Sequence, residues 1–435
     1  MRKIVAAAVL LLLVLTGCDS GLMNVDGALQ PPKLTQQQND ICEALGEDAD
    51  DIQLVYPQKG ENRSAFLICN VDDEPGDEAL VFYHSGPQSN AASQVRINLL
   101  DQDANGIWYS VCDISTFGTS VDRVEVGYFG SEDFPSIVVG YETGKKEKKR
   151  FVVYRYEGTM LESVAECTYL EFSALNASDR QGERLISLER DETGARYARM
   201  YGWMNEAFVS IDQTVLYSEI EQYIALHSGF IESGGEKCPA LFVDGSANDG
   251  IYTEILTASE ERLMNYTSES GNAKLLNQTF RTQKILCDDI YKDGIYMIPS
   301  FSEMPSVKNG EKSGQYYTDW LALVDGTFVV AETDYLDPSG GYRFHLPESW
   351  KGRVTAQMIE QDEVAFTCVS EDGHTENLLD IQMVRQTDAT PKNSEGYFEI
   401  ASVGQVTYLA KVNPDAEDAL RIGKKEVQER FITLL

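Results

Sequence analysis

The feature that most constrains the fold is a recurrence. Between Ile52 and about Tyr335 the chain runs in short stretches with period-two alternation, rich in β-branched and aromatic residues. Turn residues interrupt them about every 8 to 12 positions, which reads as a succession of strands. The strands fall into groups of four that start near Ser64, Val121, Tyr169, Glu219 and Thr279, a spacing of roughly 50 residues. Glu78–Tyr83, Pro135–Tyr141, Glu183–Leu188 and Pro239–Asp244 hold comparable places in their groups, each after a polar loop with Gly or Pro. A two-sheet sandwich accounts for strands and turns but does not require the recurrence, whereas the blades of a β-propeller do. The expected fold is therefore mainly β: a β-propeller of about five blades over residues 52–336, followed by a small α+β domain over residues 337–435.

The flanks have a different texture. Asp19 to Lys33 is polar and closed by Pro31 and Pro32, a flexible stalk. Thr35 and Gln38 fit a capping box, and Ile41, Cys42 and Leu45 form an apolar stripe before Gly46, so a short helix is placed within residues 35–51. At the other end, Gly341–Trp350 opens a strand that stops at a Pro-bounded turn, followed by strands Val354–Ile359, Glu363–Ser370 and Leu378–Arg385. Glu395–Ala401 reads either way, while Ala416–Leu420 and Lys425–Ile432 read as helical turns.

At the amino terminus, Arg2 and Lys3 precede an unbroken apolar run from Ile4 to Leu15, the length of a signal h-region and too short to span a bilayer. The next residues, Leu15-Thr16-Gly17-Cys18, resemble the lipobox of bacterial lipoproteins. That resemblance implies a signal peptide over residues 1–17, a diacylglyceryl group on Cys18 and a stalk over residues 18–34. Two acyl chains give a stable anchor, so the expected location is the outer face of the cytoplasmic membrane or cell surface.

The chain of 435 residues carries 36 Lys plus Arg against 70 Asp plus Glu, a net charge of -34. A field of that sign repels polyanions inside the screening length, so no nucleic acid partner is expected. Beyond Cys18 there are seven cysteines (Cys42, Cys69, Cys112, Cys167, Cys238, Cys287 and Cys368), an odd number without a CxxC pair, most of them inside apolar runs. They read as small buried hydrophobes. His84, His227, His345 and His374 have no ligand partner at short spacing, so no transition metal is assigned. Trp108, Trp203, Trp320 and Trp350 read as core.

Asn70-Val-Asp72-Asp73-Glu74-Pro-Gly76-Asp77-Glu78 lies between two strands and resembles the calcium loop of FG-GAP (VCBS) propeller repeats. The resemblance places oxygen ligands at Asn70, Asp72, Glu74 and Glu78, a donor set suited to calcium. Pro75 replaces the family's glycine and Glu74 its usual aspartate, and without an ion the same loop is an acidic hairpin turn. Later loops keep fewer donors. Asp101-Gln-Asp103-Ala-Asn105-Gly106 copies the start of an EF-hand loop but has Tyr109 and Cys112 at late positions and strands on both sides, the pattern of a hairpin turn. Tyr342–Trp350 is similar to the opening strand of the PsbP/Mog1-like fold, and the whole chain resembles surface lipoproteins of Gram-positive bacteria with degenerate FG-GAP blades.

These features imply a membrane-anchored binding or display module for a surface protein or cell-wall glycan. The alternative is a propeller-type glycoside hydrolase, which needs carboxylates at the central funnel. The first strands, Ala65–Cys69, Val121–Tyr128 and Leu170–Leu175, do not repeat a buried acidic pattern, and no Gly-x-Ser-x-Gly elbow is present, so no catalytic residue is assigned. The basic run Lys145–Arg150 reads as a solvated hairpin tip, with contact to anionic wall polymer or lipid as its functional alternative. The terminus carries the firmest expectation. Intact-mass and peptide mass spectrometry of the protein from its host should show a first residue Cys18 bearing acyl chains, and Cys18→Ala should leave the leader uncut.

Overall fold

The structure, a computed structural model, describes residues 34–46, 52–72, 74–85, 94–131, 133–143, 149–177, 180, 182–268, 273–308, 311–370, 374–385 and 395–434. The leader with Cys18, and Lys145–Lys148 of the basic run, lie outside them. Helix α1 (Gln36–Ala44) begins where the capping box places it: the Thr35 hydroxyl accepts from Gln38 N at 3.2 Å and Gln38 Oε1 accepts from Thr35 N at 2.9 Å.

Five antiparallel groups follow. The first holds β1 (Ile52–Leu54), β2 (Phe66–Cys69), β3 (Glu78–Ser85), β4 (Arg96–Gln102) and β5 (Trp108–Ser115); β1 and β2 share one edge of β3. The second is the meander β6 (Ser120–Gly127), β7 (Ser136–Glu142), β8 (Lys149–Tyr156) and β9 (Leu161–Tyr169). The third is β10 (Glu171–Leu175), β11 (Arg184–Arg190), β12 (Arg196–Met204) and β13 (Ala207–Val215). The fourth is β14 (Gln222–Ser233), β15 (Glu236–Ala247), β16 (Gly250–Ala258) and β17 (Leu263–Asn265). After helix α2 (Ala273–Gln278) comes the fifth: β18 (Ile298–Glu303), β19 (Tyr316–Val324), β20 (Thr327–Asp337) and β21 (Tyr342–His345). Parallel pairing of Glu232 with Val324 ties the fourth group to the fifth.

Burial shows why these sequences make blades. Strands β3, β7 and β11 are buried along nearly their whole length, because sheets cover both of their faces. The outermost strands β5, β9 and β13 are largely open to solvent. The core is accordingly divided into layers between adjacent sheets. Leu80, Phe82, Ile97 and Leu99 of the first group meet Val124, Ile137 and Val139 of the second. Phe151 and Val153 meet Phe172, Leu185 and Tyr201, and Ile186, Leu188 and Met200 meet Leu226, Leu241 and Val243. At the free face of the first group, α1 supplies Ile41 and Leu45 against Ala79, Val81 and Trp108. The protein is thus a mainly β, propeller-type stack of five antiparallel units.

The carboxy-terminal sheet contains β22 (Val354–Glu360), β23 (Glu363–Val369), β24 (Thr375–Arg385), β25 (Phe398–Val403) and β26 (Val406–Val412), followed by α3 (Lys424–Arg430) and β27 (Phe431–Thr433). It covers the fifth group. Tyr342, Phe344 and Trp350 pack with Phe366, Ile381, Tyr408 and Val427 in one continuous core, and Trp350 Nε1 donates to Leu420 O at 2.8 Å. Tyr342–His345, expected to open the last domain, is the fourth strand of the fifth group, paired to both β20 and β27. Ala416–Leu420 forms turns, and Glu395–Ala401 resolves partly into β25. Among the described residues no helix is long and apolar enough to cross a membrane.

The expected group starts fall within three residues of β2, β6, β10 and β14, but β18 begins at Ile298, well after the expected Thr279. The intervening segment has its own staple. Asp244, fully buried on β15, accepts from Arg281 Nη2 at 2.7 Å, from the Thr253 hydroxyl and from Cys287 N at 2.9 Å. Arg281 also donates to Ile285 O at 2.5 Å and to Thr279 O at 2.9 Å. Removing one member of a buried ion pair leaves the other uncompensated. Arg281→Leu should therefore lower stability by about 3–5 kcal/mol, read as the shift of the urea midpoint, and expose Cys287 to thiol reagents.

Candidate functional site

The first strands carry the chemistry. The loop ahead of β2, strands β6, β10 and β14, and the residues just ahead of β18 converge on one pocket of about 310 Å³. All five groups reach it. Its lining includes Lys59, Glu61 and Arg63 of the loop, Arg123 and Glu125 of β6, Glu171, Ser173 and Asn176 of the third group, His227 and Ser228 of β14, and Tyr296.

Backbone pairing fixes the loop on β6: Gln58 N donates to Val121 O at 3.2 Å and Lys59 N to Asp122 O at 2.7 Å. That placement directs the Lys59 ammonium onto the Glu171 carboxylate. Lys149 of β8 comes from the other side, 2.8 Å from Asp122 Oδ1 and 3.7 Å from Glu171 Oε1. The Tyr169 hydroxyl donates to Asp122 Oδ2 at 2.8 Å, which orients that buried carboxylate. Gly140 makes the approach feasible, since a Cβ there would sit 2.4 Å from Tyr169 Oη. Two lysines and two acids thus form a fixed wall, and charges shielded from water interact more strongly than exposed ones.

The opposite part of the lining is less saturated. Arg123, 7% exposed, holds Glu125 Oε1 at 3.3 Å, and its Nε has no hydrogen-bond partner among the described residues. Burial pushes the Glu125 carboxyl up to about 7; Arg123 pulls it back and Glu61 adds to the rise. The His227 ring stacks on Tyr296 at 5.0 Å, its Nε2 is buried without a partner among the described residues, and burial lowers its pKa. Asn176 N donates to the Ser228 hydroxyl at 2.9 Å, joining the third and fourth groups at the rim.

The first strands do not repeat one acidic position, yet two of them carry acids: none lies on β2, Asp122 and Glu125 lie on β6, and Glu171 heads β10. Asp122, Glu125 and Glu171 sit inside the apolar runs of β6 and at the head of β10, and the pocket collects two of them with Glu61. The available signal was local: charged residues embedded among Val121, Val124, Val126, Leu170 and Phe172.

The calcium-loop residues form a turn closed by its own hydrogen bonds. Asn70 Nδ2 donates to Glu74 O and, at 2.9 Å, to Gly76 O; Asp72 Oδ1 accepts from Glu74 N at 3.0 Å; Glu78 Oε2 accepts from Val71 N at 2.7 Å. Among the described residues, Asp72, Glu74 and Glu78 do not converge as a three-ligand group. Burial raises the Glu78 pKa, and Asp72 and Asp101 add to the rise. The donor set does not fit a preformed calcium cage. Asp101–Gly106 is the β4–β5 hairpin turn, with Asp103 Oδ1 accepting from Asn105 N and Ile107 N, both at 2.9 Å.

Two other groups bring three ligand-type side chains together. Asp244 with His227 and Cys287 is already held by Arg281. Glu332, Asp334 and His345 surround Arg343, which lies 2.6 Å from each carboxylate, and Trp320 Nε1 donates to Asp334 at 2.9 Å. Hydrogen bonds to Asp334 and Glu332 push the His345 pKa up to about 9. With a guanidinium between the acids, this is an ion-pair network. The four tryptophans are buried, and the seven described cysteines are free thiols, with Cys287 and Cys368 buried.

No known family profile matches the chain, and no curated protein sequence matches it. Solved structures similar to it include a putative 6-phosphogluconolactonase from Bacteroides uniformis (11% identity, 75% of this chain and 95% of that chain, TM-score 0.31). Others are the exotype rhamnogalacturonan lyase YesX (10%, 75% and 73%, TM-score 0.31) and an exo-β-1,3-galactanase from Phanerochaete chrysosporium (9%, 80% and 82%, TM-score 0.29). At these TM-scores the likeness decides neither fold nor chemistry, which rest on topology and on the pocket.

The raised pKa of Glu125 has a definite sign. A carboxyl with a folded pKa of about 7 against an ordinary 4.5 binds more protons folded than unfolded between those values. Its contribution to stability is present below pH 4.5 and is lost as pH rises through 7. Glu254, also pushed up to about 7 by burial, acts in the same window. Urea midpoints measured across that window should fall with rising pH less steeply in Glu125→Gln than in the unaltered chain.

Proposed function

We propose that this chain is a lipid-anchored, extracytoplasmic binding protein whose axial pocket takes a small polar ligand of the glycan class. One observation carries the reading: a pocket at the meeting point of the five strand groups, lined by opposed charges, hydroxyls, an amide and a Tyr296–His227 stack. Sugar recognition uses these groups: planar hydrogen-bonding side chains for hydroxyls and an aromatic edge for the ring. The pocket volume lies at the lower end of the range of about 300–1,000 Å³ for small-molecule sites. The Cys18 anchor would hold the pocket at the envelope surface, where wall glycans are the abundant polar molecules.

A second reading is favoured by one specific feature. Glu125 is half-buried beside a single long Arg123 contact, while Glu171 is gripped by two lysines. Two carboxyls in contrasting settings are what acid-assisted glycoside hydrolysis requires.

A glycan array probed with the full-length chain, with and without chelator, tests both readings. Binding that is lost in Glu171→Gln supports the pocket as the site. Release of new reducing ends, abolished in Glu125→Gln, would move the assignment to hydrolysis, and a chelator effect would assign an ion to the loop of Asn70, Asp72, Glu74 and Glu78.

A further inference from the structure

The non-strand segment between α2 and β18 forms a wall. Asp244 grips it at two points, through Arg281 Nη2 at 2.7 Å and Cys287 N at 2.9 Å, and the Arg281 side chain donates to Ile285 O between them at 2.5 Å. Lys284 and Leu286 lie between those anchors and face the start of β14 and the β15–β16 hairpin across a second cavity, of about 610 Å³. This cavity borders the axial pocket, because Ile224 of β14 lines both.

Ile224 stands there for a structural reason. Pairing of β14 with β15 passes from Tyr223 opposite Gly245 to Ala225 opposite Asp244, so Ile224 is the extra residue of a β-bulge. A bulge re-aims a side chain out of the regular alternation. Tyr223 and Leu226 are buried, whereas Ile224 is 44% exposed, an aliphatic ridge between two cavities. The second cavity supplies the polar complement. Gln222, Asn248, Asp249 and Lys284 line it with exposed side chains that make no hydrogen bond or ion pair among the described residues, and Ile251 and Leu286 add aliphatic surface. These donors and acceptors are within reach of a solute, unlike the charges of Lys59, Lys149, Asp122 and Glu171, which are spent on one another.

Building on the glycan-binding reading above, we propose that the site takes an oligosaccharide of two or more units, one in the axial pocket and the next in the second cavity, with the glycan chain crossing Ile224. A linear glycan repeats hydroxyls around the edge of each ring and C–H groups on its faces. That alternation matches two polar rims separated by an aliphatic ridge. The axial pocket alone sits at the lower end of the range of about 300–1,000 Å³ for small-molecule sites, and the second cavity lies well inside it. The wall that carries Lys284 is pinned by Asp244 before any ligand arrives, so little further ordering accompanies binding.

The test is a length series. Oligomers of β-1,4-linked glucose, β-1,4-linked N-acetylglucosamine and α-1,4-linked galacturonate, each from one to six units, are titrated calorimetrically into the full-length chain, together with the same series for any glycan that the array retains. In at least one series affinity should rise on the order of 10- to 100-fold from the monosaccharide to the longer chains, the gain expected for about two added hydrogen bonds, and then level off. Joint replacement Asn248→Ala and Lys284→Ala, both at exposed positions, should cut that gain to under about threefold. The comparison on the unaltered chain does not depend on any variant folding. A monosaccharide that binds as tightly as its hexamer overturns the inference and leaves glycan binding in the axial pocket standing. A gain with length that survives the double replacement also overturns it, because the added units would then rest elsewhere. Binding in none of the series overturns the reading beneath it as well.

Discussion

Face-to-face packing of twisted sheets is the interaction on which everything else in this protein depends. A four-stranded sheet whose second strand is apolar on both sides cannot stand alone in water; it needs a neighbour on each face. Phe82, Val139, Phe151, Ile186 and Val243 are buried because each faces a neighbouring group. The two end faces need other covers. Helix α1 closes the first and the carboxy-terminal sheet closes the fifth, so elements that look like appendages in the sequence finish the stack.

That packing also creates the site. Sheets arranged around an axis bring their first strands together, and polar side chains there meet across group boundaries while the apolar ones are drawn between the sheets. Lys59, Lys149, Asp122 and Glu171 come from three groups and form one network. Burying such charges costs desolvation, which the network offsets by pairing. Arg123 and His227 are the places where pairing is incomplete, and they are adjacent to the cavity.

The elements differ in how far the sequence revealed them. The start of helix α1 was legible to the residue because Thr35 and Gln38 cap it locally. Four group starts were legible because strand periodicity is also local. The fifth was displaced since Arg281 and Asp244, far apart in sequence, pin a non-strand segment ahead of β18. Tyr342–His345 looked like the start of a new unit, because the sequence does not show that β20 and β27 both pair with it. The acidic loop at Asn70–Glu78 stood out by composition and turned its donors onto its own backbone, whereas Glu125 and Glu171 drew little notice among apolar neighbours.

The sequence by itself determined the strand-built character of the chain, the approximate repeat, the capped first helix and a strongly acidic surface, because each depends on residues near one another or on composition alone. Only the tertiary structure decided which charged residues share a cavity and which acids are paired. Those properties belong to distances between strands of different groups, and such distances are set by how the sheets pack, a quantity that no local run of residues encodes.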